Sequence, residues 1–270
     1  MTSGDPSRSG RIKARTLFLS DLHLGYRHAR ARELTEFLAG VEAERIVLVG
    51  DIVDALSLAR RAYWSADHTQ VLRALLARQR AGTRLIYIPG NHDASLAMLA
   101  QMLQGQFEVH REWVHRTARG ARLLVLHGDR FDGGLGCPQW LTRLGDLLHG
   151  ATVGVSHRLN NMRRRLGQPY WPLTERVKLA LGVSAGYIER YEQLAAAHAR
   201  AHGYDGVVCG HIHRANLRDI GGTLYANTGD WVESCSALAE YAGGELTLLR
   251  WPQATHGVRR SGARLAAQAA

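Results

Sequence analysis

Val47-Leu48-Val49-Gly50-Asp51 is an apolar run that stops on a glycine and a carboxylate. A run this short and this apolar reads as a strand buried on both faces. The glycine lets the backbone turn sharply at the strand's end. The same plan recurs along the chain. Leu17-Phe18-Leu19 leads to Asp21 and His23, and Ile86-Tyr87-Ile88-Pro89-Gly90 leads to Asn91-His92-Asp93. Leu124-Val125-Leu126 leads to His127-Gly128-Asp129, and Val207-Val208-Cys209-Gly210 leads to His211-Ile212-His213.

Strands are expected over 16–20, 45–49, 84–88, 122–126 and 206–209. Helical periodicity follows the first three, over 29–43, 68–81 and 94–103. This alternation predicts an α/β fold with helices packed on a largely buried sheet. Two further strand regions, 223–226 and 236–249, follow, the second turning at Gly243-Gly244. Residues 132–204 break the rhythm, with no convincing strand and with apolar positions such as Trp140, Leu141 and Leu144 at helical spacing. They read as a helical insertion or cap within a single domain spanning 12–255. The polar stretches 1–11 and 256–270 read as flexible tails.

The 270 residues carry a formal net charge of +10, almost all of it arginine; Lys13 and Lys178 are the only lysines. That charge favours an anionic partner: a phosphate-bearing substrate, an acidic membrane face or, less readily, nucleic acid. No aromatic-studded groove for single strands is legible. Cys137, Cys209 and Cys235 lack paired spacing and read as reduced thiols of a cytoplasmic protein. No apolar run is long enough to cross a membrane, and no secretory leader is legible.

The polar residues after the strands are all good oxygen and nitrogen donors. Ligands in α/β sheets gather beyond the carboxyl ends of the strands. Asp21, His23, Asp51, Asn91, His127, His211 and His213 suffice to hold two divalent ions. Thiolates are absent from the set, which suits Mn²⁺, Fe or catalytic Zn²⁺ rather than a structural zinc site. Asp51, alone at its strand end, is the expected bridging carboxylate. Asp21 and His23 with one C-terminal histidine would complete the first ion, and Asn91 and His127 with the other histidine the second. In extended chain, residues two apart face the same way, which would pair Asp21 with His23 and His211 with His213. His92 then points away from Asn91 and is expected to protonate the leaving oxygen or steady a phosphoryl group, with Asp93 orienting its ring. Such a centre fits hydrolysis of phosphate esters or anhydrides.

The set DLH, GD, GNHD, HGD and GHIH, spanning 21–213, resembles the calcineurin-like metallophosphoesterase superfamily. The resemblance implies a two-sheet β-sandwich flanked by helices. It also implies that Asp21, His23, Asp51 and His213 hold one metal, and Asp51, Asn91, His127 and His211 the other. Within the superfamily, Ser20–Gly25, Gly50–Asp54 and Asn227–Cys235 are similar to the UDP-2,3-diacylglucosamine diphosphatase group. That similarity implies Mn²⁺, pyrophosphate cleavage of a lipid-linked nucleotide sugar in lipid A biosynthesis, and peripheral attachment to the inner face of the inner membrane. The insertion and Arg163, Arg164 and Arg165 would meet such an amphipathic substrate. One position departs: the group's best-known branch has arginine directly after the metal-binding asparagine, where this chain has His92, the general superfamily form. A phosphodiesterase or nuclease, or a paralogue with another phosphoester substrate, is the alternative.

Overall fold

The computed structural model describes residues 11–103, 105–135, 159, 162, 163, 166, 183–251 and 261–263. Two sheets stack face to face. The first has the order β12-β11-β10-β1-β2-β3-β4, comprising Ser261–Ala263, Leu246–Arg250, Ser236–Glu240, Ile12–Leu19, Val41–Val49, Arg84–Ile88 and Glu108–Val109. The second has the order β5-β6-β7-β9-β8, comprising Trp113–Arg116, Arg122–Val125, Gly206–Cys209, Thr223–Asn227 and Asn216–Ile220. Strands β1 to β4 are parallel, as are β6, β7 and β9.

Alternation along each strand sorts side chains into three cores. Phe18, Val47, Val49, Ile86 and Ile88 meet Leu123, Val125 and Val208 between the sheets. Leu17, Leu19, Ile46 and Leu48 face outward under α1 (Ala31–Ala39), α3 (Ala66–Arg80) and Trp231. Leu124, Leu126, Val207 and Tyr225 face Tyr191, Ala195 and Ala199 of α5 (Val183–Ala201) on the other side. The result is helix, sheet, sheet, helix. Strands buried on both faces explain the unbroken apolar runs, and each fully buried Leu, Val or Ile contributes about 1.5–3 kcal/mol.

Three details differ from expectation. The first helix ends at Ala39 rather than continuing to 43, because Val41 starts β2 and pairs with Ile12 of β1. Ser261–Ala263, within the expected tail, hydrogen-bonds to β11 as the outermost strand. Two short helices, α2 (Ala55–Arg60) and α4 (Leu96–Met102), follow the Asp51 and Asn91 loops; the first was not foreseen. Of the expected insertion, the 3-10 turn Asp129–Leu135 and α5 are described, and α5 covers the outer face of the second sheet. Trp140, Leu141 and Leu144 lie outside the described residues.

Candidate metal centre

Asp21 follows β1, Asp51 follows β2, His127 follows β6, and His211 and His213 follow β7. They meet where the ends of the two sheets come together. Five of the six non-glycine residues with positive φ among the described residues are here: Asp21 (53°), His23 (46°), Asp51 (55°), His211 (70°) and His213 (54°). Left-handed backbone is strained for such residues and is retained where the surroundings enforce it. The two-residue spacing therefore works through sharp turns, not through extended chain as the sequence suggested. Gly50 and Gly90 are obligatory, since a Cβ on Gly50 would fall in the His127 ring and one on Gly90 would strike Asp51.

Asp21 is fully buried. Its Oδ2 accepts the His211 amide at 3.1 Å, and its Oδ1 lies 3.2 Å from His213 Nε2. Asp51 Oδ1 accepts the His92 amide at 2.9 Å. The other Asp51 oxygen lies 3.4 Å from His127 Nε2 and 3.8 Å from His23 Nε2, between the two imidazoles. His23 Nε2 is 3.3 Å from His213 Nε2.

The tautomers test whether this set suits cations. His23 Nδ1 is 3.0 Å from Asp54 Oδ2, and His127 Nδ1 is 3.0 Å from the Val49 carbonyl. Carboxylates and carbonyls only accept, so both Nδ1 atoms carry hydrogen. In a neutral ring the Nε2 lone pair then faces inward, towards carboxylates. Buried lone pairs and carboxylates facing one another require positive charge between them. His127 Nε2 and Asp21 Oδ1 are buried and make no hydrogen bond among the described residues. Without a cation the demand falls on protons. Burial opposes charging His127, yet the charge of the Asp51 carboxylate beside its Nε2, with Asp21 behind, raises its pKa to about 10. Asp51 is itself burdened by burial but held far below the ordinary carboxylate range by His127 and His23. Asp21-His23-His213 and Asp21-Asp51-His127 each bring ligand atoms within 4.8 Å of one another, close enough to hold an ion.

His92 is one-third exposed at its side chain and faces the same cleft. Its Nδ1 lies 3.1 Å from Asp54 Oδ1, so Asp54 holds both His92 and His23. Burial disfavours the imidazolium, but the Asp54 hydrogen bond and the charges of Asp51 and Asp54 raise its pKa overall. Asp93 does not orient His92. It accepts the amides of Ile52, Val53 and Gly90 and the Tyr87 hydroxyl, pinning the two ligand loops together.

Two expected ligands sit at the rim. Asn91 is exposed. His211 packs against His127 at 5.2 Å between ring centroids, but its Nε2 is 2.8 Å from Asp132 Oδ2. Asp132 also accepts from the Tyr187 hydroxyl of α5 at 2.9 Å. Asp54, Asp132 and Tyr187 were missed in the sequence, although Asp54 ends the quoted Gly50–Asp54 stretch. The Asn227–Cys235 stretch braces the centre: the Trp231 amide donates to the Asp21 carbonyl at 3.0 Å, and Asp230 Oδ1 accepts the Val232 amide at 2.7 Å. Arg163 is half-buried, whereas Arg164 and Arg165 lie outside the described residues.

The calcineurin-like phosphoesterase superfamily domain matches residues 15–244, most of the chain. The chain belongs to the calcineurin-like phosphoesterase superfamily. A UDP-2,3-diacylglucosamine hydrolase of Serratia proteamaculans is 29% identical over 123 residues, which are 42% of this chain and 48% of that protein. The match thus spans about half the relative's length. Among solved structures, Vacuolar Protein Sorting 29 from Cryptosporidium parvum is 11% identical, with 92% of this chain and 95% of that one covered, at a TM-score of 0.47. An archaeal phosphodiesterase is 12% identical over 92% and 99% of the two chains, at a TM-score of 0.40. Likeness at that level says nothing of the reaction. Among the described residues no helix is long and apolar enough to cross a membrane.

Proposed function

We propose that this chain is a dinuclear metal-dependent phosphoester hydrolase whose substrate is a lipid-linked nucleotide-sugar pyrophosphate, UDP-2,3-diacylglucosamine or a close relative. The observation that carries the first part is the convergence of the His23 and His127 Nε2 atoms on the Asp21 and Asp51 carboxylates. Asp21, His23, Asp51 and His213 would hold one ion, and Asp51, Asn91, His127 and His211 the other, Mn²⁺ being the favoured metal. Bound there, the ions would neutralise phosphoryl charge and lower the pKa of the attacking water. His92 donates its proton to the leaving oxygen. Asp54 favours the charged form of that imidazole and aims it. Asp93 fixes the loop from which His92 projects.

The substrate class draws support from the 123-residue relative and from apolar side chains beside the ligand loops. Leu56 of α2, Tyr63 and Trp64 after it, and Met98 and Met102 of α4 are all at least 41% exposed. Exposed apolar groups of this kind suit acyl chains or a membrane surface better than nucleic acid. Peripheral attachment at an acidic, cytoplasmic membrane face follows as part of the proposal, with Arg163, Arg164 and Arg165 as contacts for substrate phosphates. The net charge of +10 favours the competing nuclease reading. Release of UMP from UDP-2,3-diacylglucosamine in the presence of Mn²⁺ is the deciding assay. Hydrolysis of bis(p-nitrophenyl) phosphate without UMP release would remove the lipid substrate and leave the hydrolase. Loss of both activities would remove the hydrolase as well.

A further inference from the structure

At the other end of the sandwich lies a groove of about 370 Å³ lined by Arg45, Arg84, Trp113, Val114, Arg116 and Arg122. It sits beside the middle of β2 and the first residues of β3 and β6. Arg45 is six residues from Asp51 along β2, which at about 3.3 Å per residue puts the groove ~20 Å from the metal centre. The volume is at the lower end of what small-molecule sites offer.

The arginines are placed against one another. Arg45 and Arg84 are register partners on neighbouring strands of the first sheet, and Arg116 and Arg122 are register partners in the second. Like charges directly opposite in a sheet are destabilising. Among the described residues, only Arg84 of the four pairs with a carboxylate, Glu108. Arg122 donates to the Gly203 carbonyl and stacks on Tyr204, and its buried Nε makes no hydrogen bond among the described residues. Glu240, the buried carboxylate nearby, is already engaged by Arg15, His115 and the Ala118 amide. Glu44 also acts on Arg45, and Asp205 accepts the Arg122 amide. Burial and the charge of Arg15 push the Arg45 pKa down, Glu240 and Glu44 oppose this, and Arg84 adds to it. Two facing arginine pairs, incompletely neutralised and gathered around one groove, leave a deficit of negative charge there.

We propose that this groove is a second anion site, in which Arg45, Arg84, Arg116 and Arg122 take a multiply charged phosphate group. Guanidinium forks match phosphate oxygens bidentately. One such anion satisfies both pairs at once.

The test is calorimetric titration of the full metal-loaded chain with methylenediphosphonate, a non-hydrolysable diphosphate, against the double variant Arg45→Gln/Arg116→Gln. The variant is expected to bind one equivalent fewer, or to bind that equivalent at least about tenfold more weakly. Its turnover of bis(p-nitrophenyl) phosphate should be unchanged, which also certifies its fold. Equal stoichiometry and affinity in both proteins would overturn the proposal. A measurement on the wild-type chain alone stands beside it: crystals soaked in the diphosphonate should show it between the arginines, and density confined to the metal centre would be equally fatal. Co-sedimentation with vesicles containing phosphatidic acid, whose phosphomonoester can carry two charges, separates the sources of phosphate. Pelleting that the variant loses identifies a lipid headgroup. Diphosphonate binding without pelleting identifies a soluble phosphate.

Discussion

Asp54→Asn isolates the residue that ties the two histidines together. In the native chain one carboxylate accepts three hydrogens: His23 Nδ1 at 3.0 Å, His92 Nδ1 at 3.1 Å and the Ser57 amide at 2.7 Å. Burial raises its pKa, but these donors hold it well below the ordinary carboxylate range. An amide of the same shape has one accepting oxygen. Ser57 and His92 share Oδ1, so the oxygen stays with them and the new NH₂ faces His23 Nδ1–H. His23 must then move its hydrogen to Nε2, where it blocks a metal, or leave a donor unpaired. A hydrogen bond to a charged group is worth about 1.5–3 kcal/mol, which is roughly 10–150-fold in metal affinity. Loss of a carboxylate behind a ligating imidazole is ordinarily felt on the same scale, about 10–100-fold. His92 also loses the anion that raised its pKa, so a proton donor at that position deprotonates at lower pH. The alkaline limb of kcat for bis(p-nitrophenyl) phosphate should therefore move to lower pH, and retained metal should fall in elemental analysis. A variant with native metal content and an unmoved alkaline limb would refute the role given to Asp54.

His92→Ala should retain its metal but turn over roughly 10²–10⁴-fold more slowly, whereas Asp51→Ala should lose both; equal metal loss in the two contradicts the division of labour. Metal-free protein at pH 7–8 holds a proton on His127, whose pKa is raised to about 10, and a ligating imidazole must be neutral. Adding Mn²⁺ in weak buffer should thus release protons, and metal affinity should climb as pH rises towards that value; pH-independent affinity without acidification would be incompatible with His127 as a ligand. Gly50→Ala forces a Cβ towards the His127 ring at a φ of 82°, and should cost about 1–3 kcal/mol in thermal denaturation, an effect that an unchanged Tm would disprove.

The strands were legible because burial on both faces leaves only apolar residues in them, as in Ile46–Val49. Asn216–Ile220 was not, since an edge strand with exposed Arg218 and Asp219 carries no apolar run. The start of β2 was hidden by the single residue, Gly40, that separates it from α1, and by charged residues that fit either period. Sheet order was beyond the sequence, because β10 pairs with β1 across more than two hundred residues. At the centre, ligand types and loop positions were readable, whereas orientation was not. Adjacency suggested Asp93 as the partner of His92, but neighbouring residues diverge, and the true partner stands 38 residues away. Asp132 met His211 only through folding, since nothing in the spacing joins them.

The central position of β1 has a consequence for synthesis. Its parallel neighbour β2 leaves the ribosome soon after it, but its other neighbour is paired as Thr16↔Glu240. At roughly 5–20 residues per second, the nascent chain waits on the order of 10–45 s with one edge of its central strand bare. An uncovered apolar edge invites pairing with other chains. Completion of this sheet therefore waits for the β10–β11 hairpin, and the yield of native protein in the cell rests on how well that edge is shielded until this hairpin emerges.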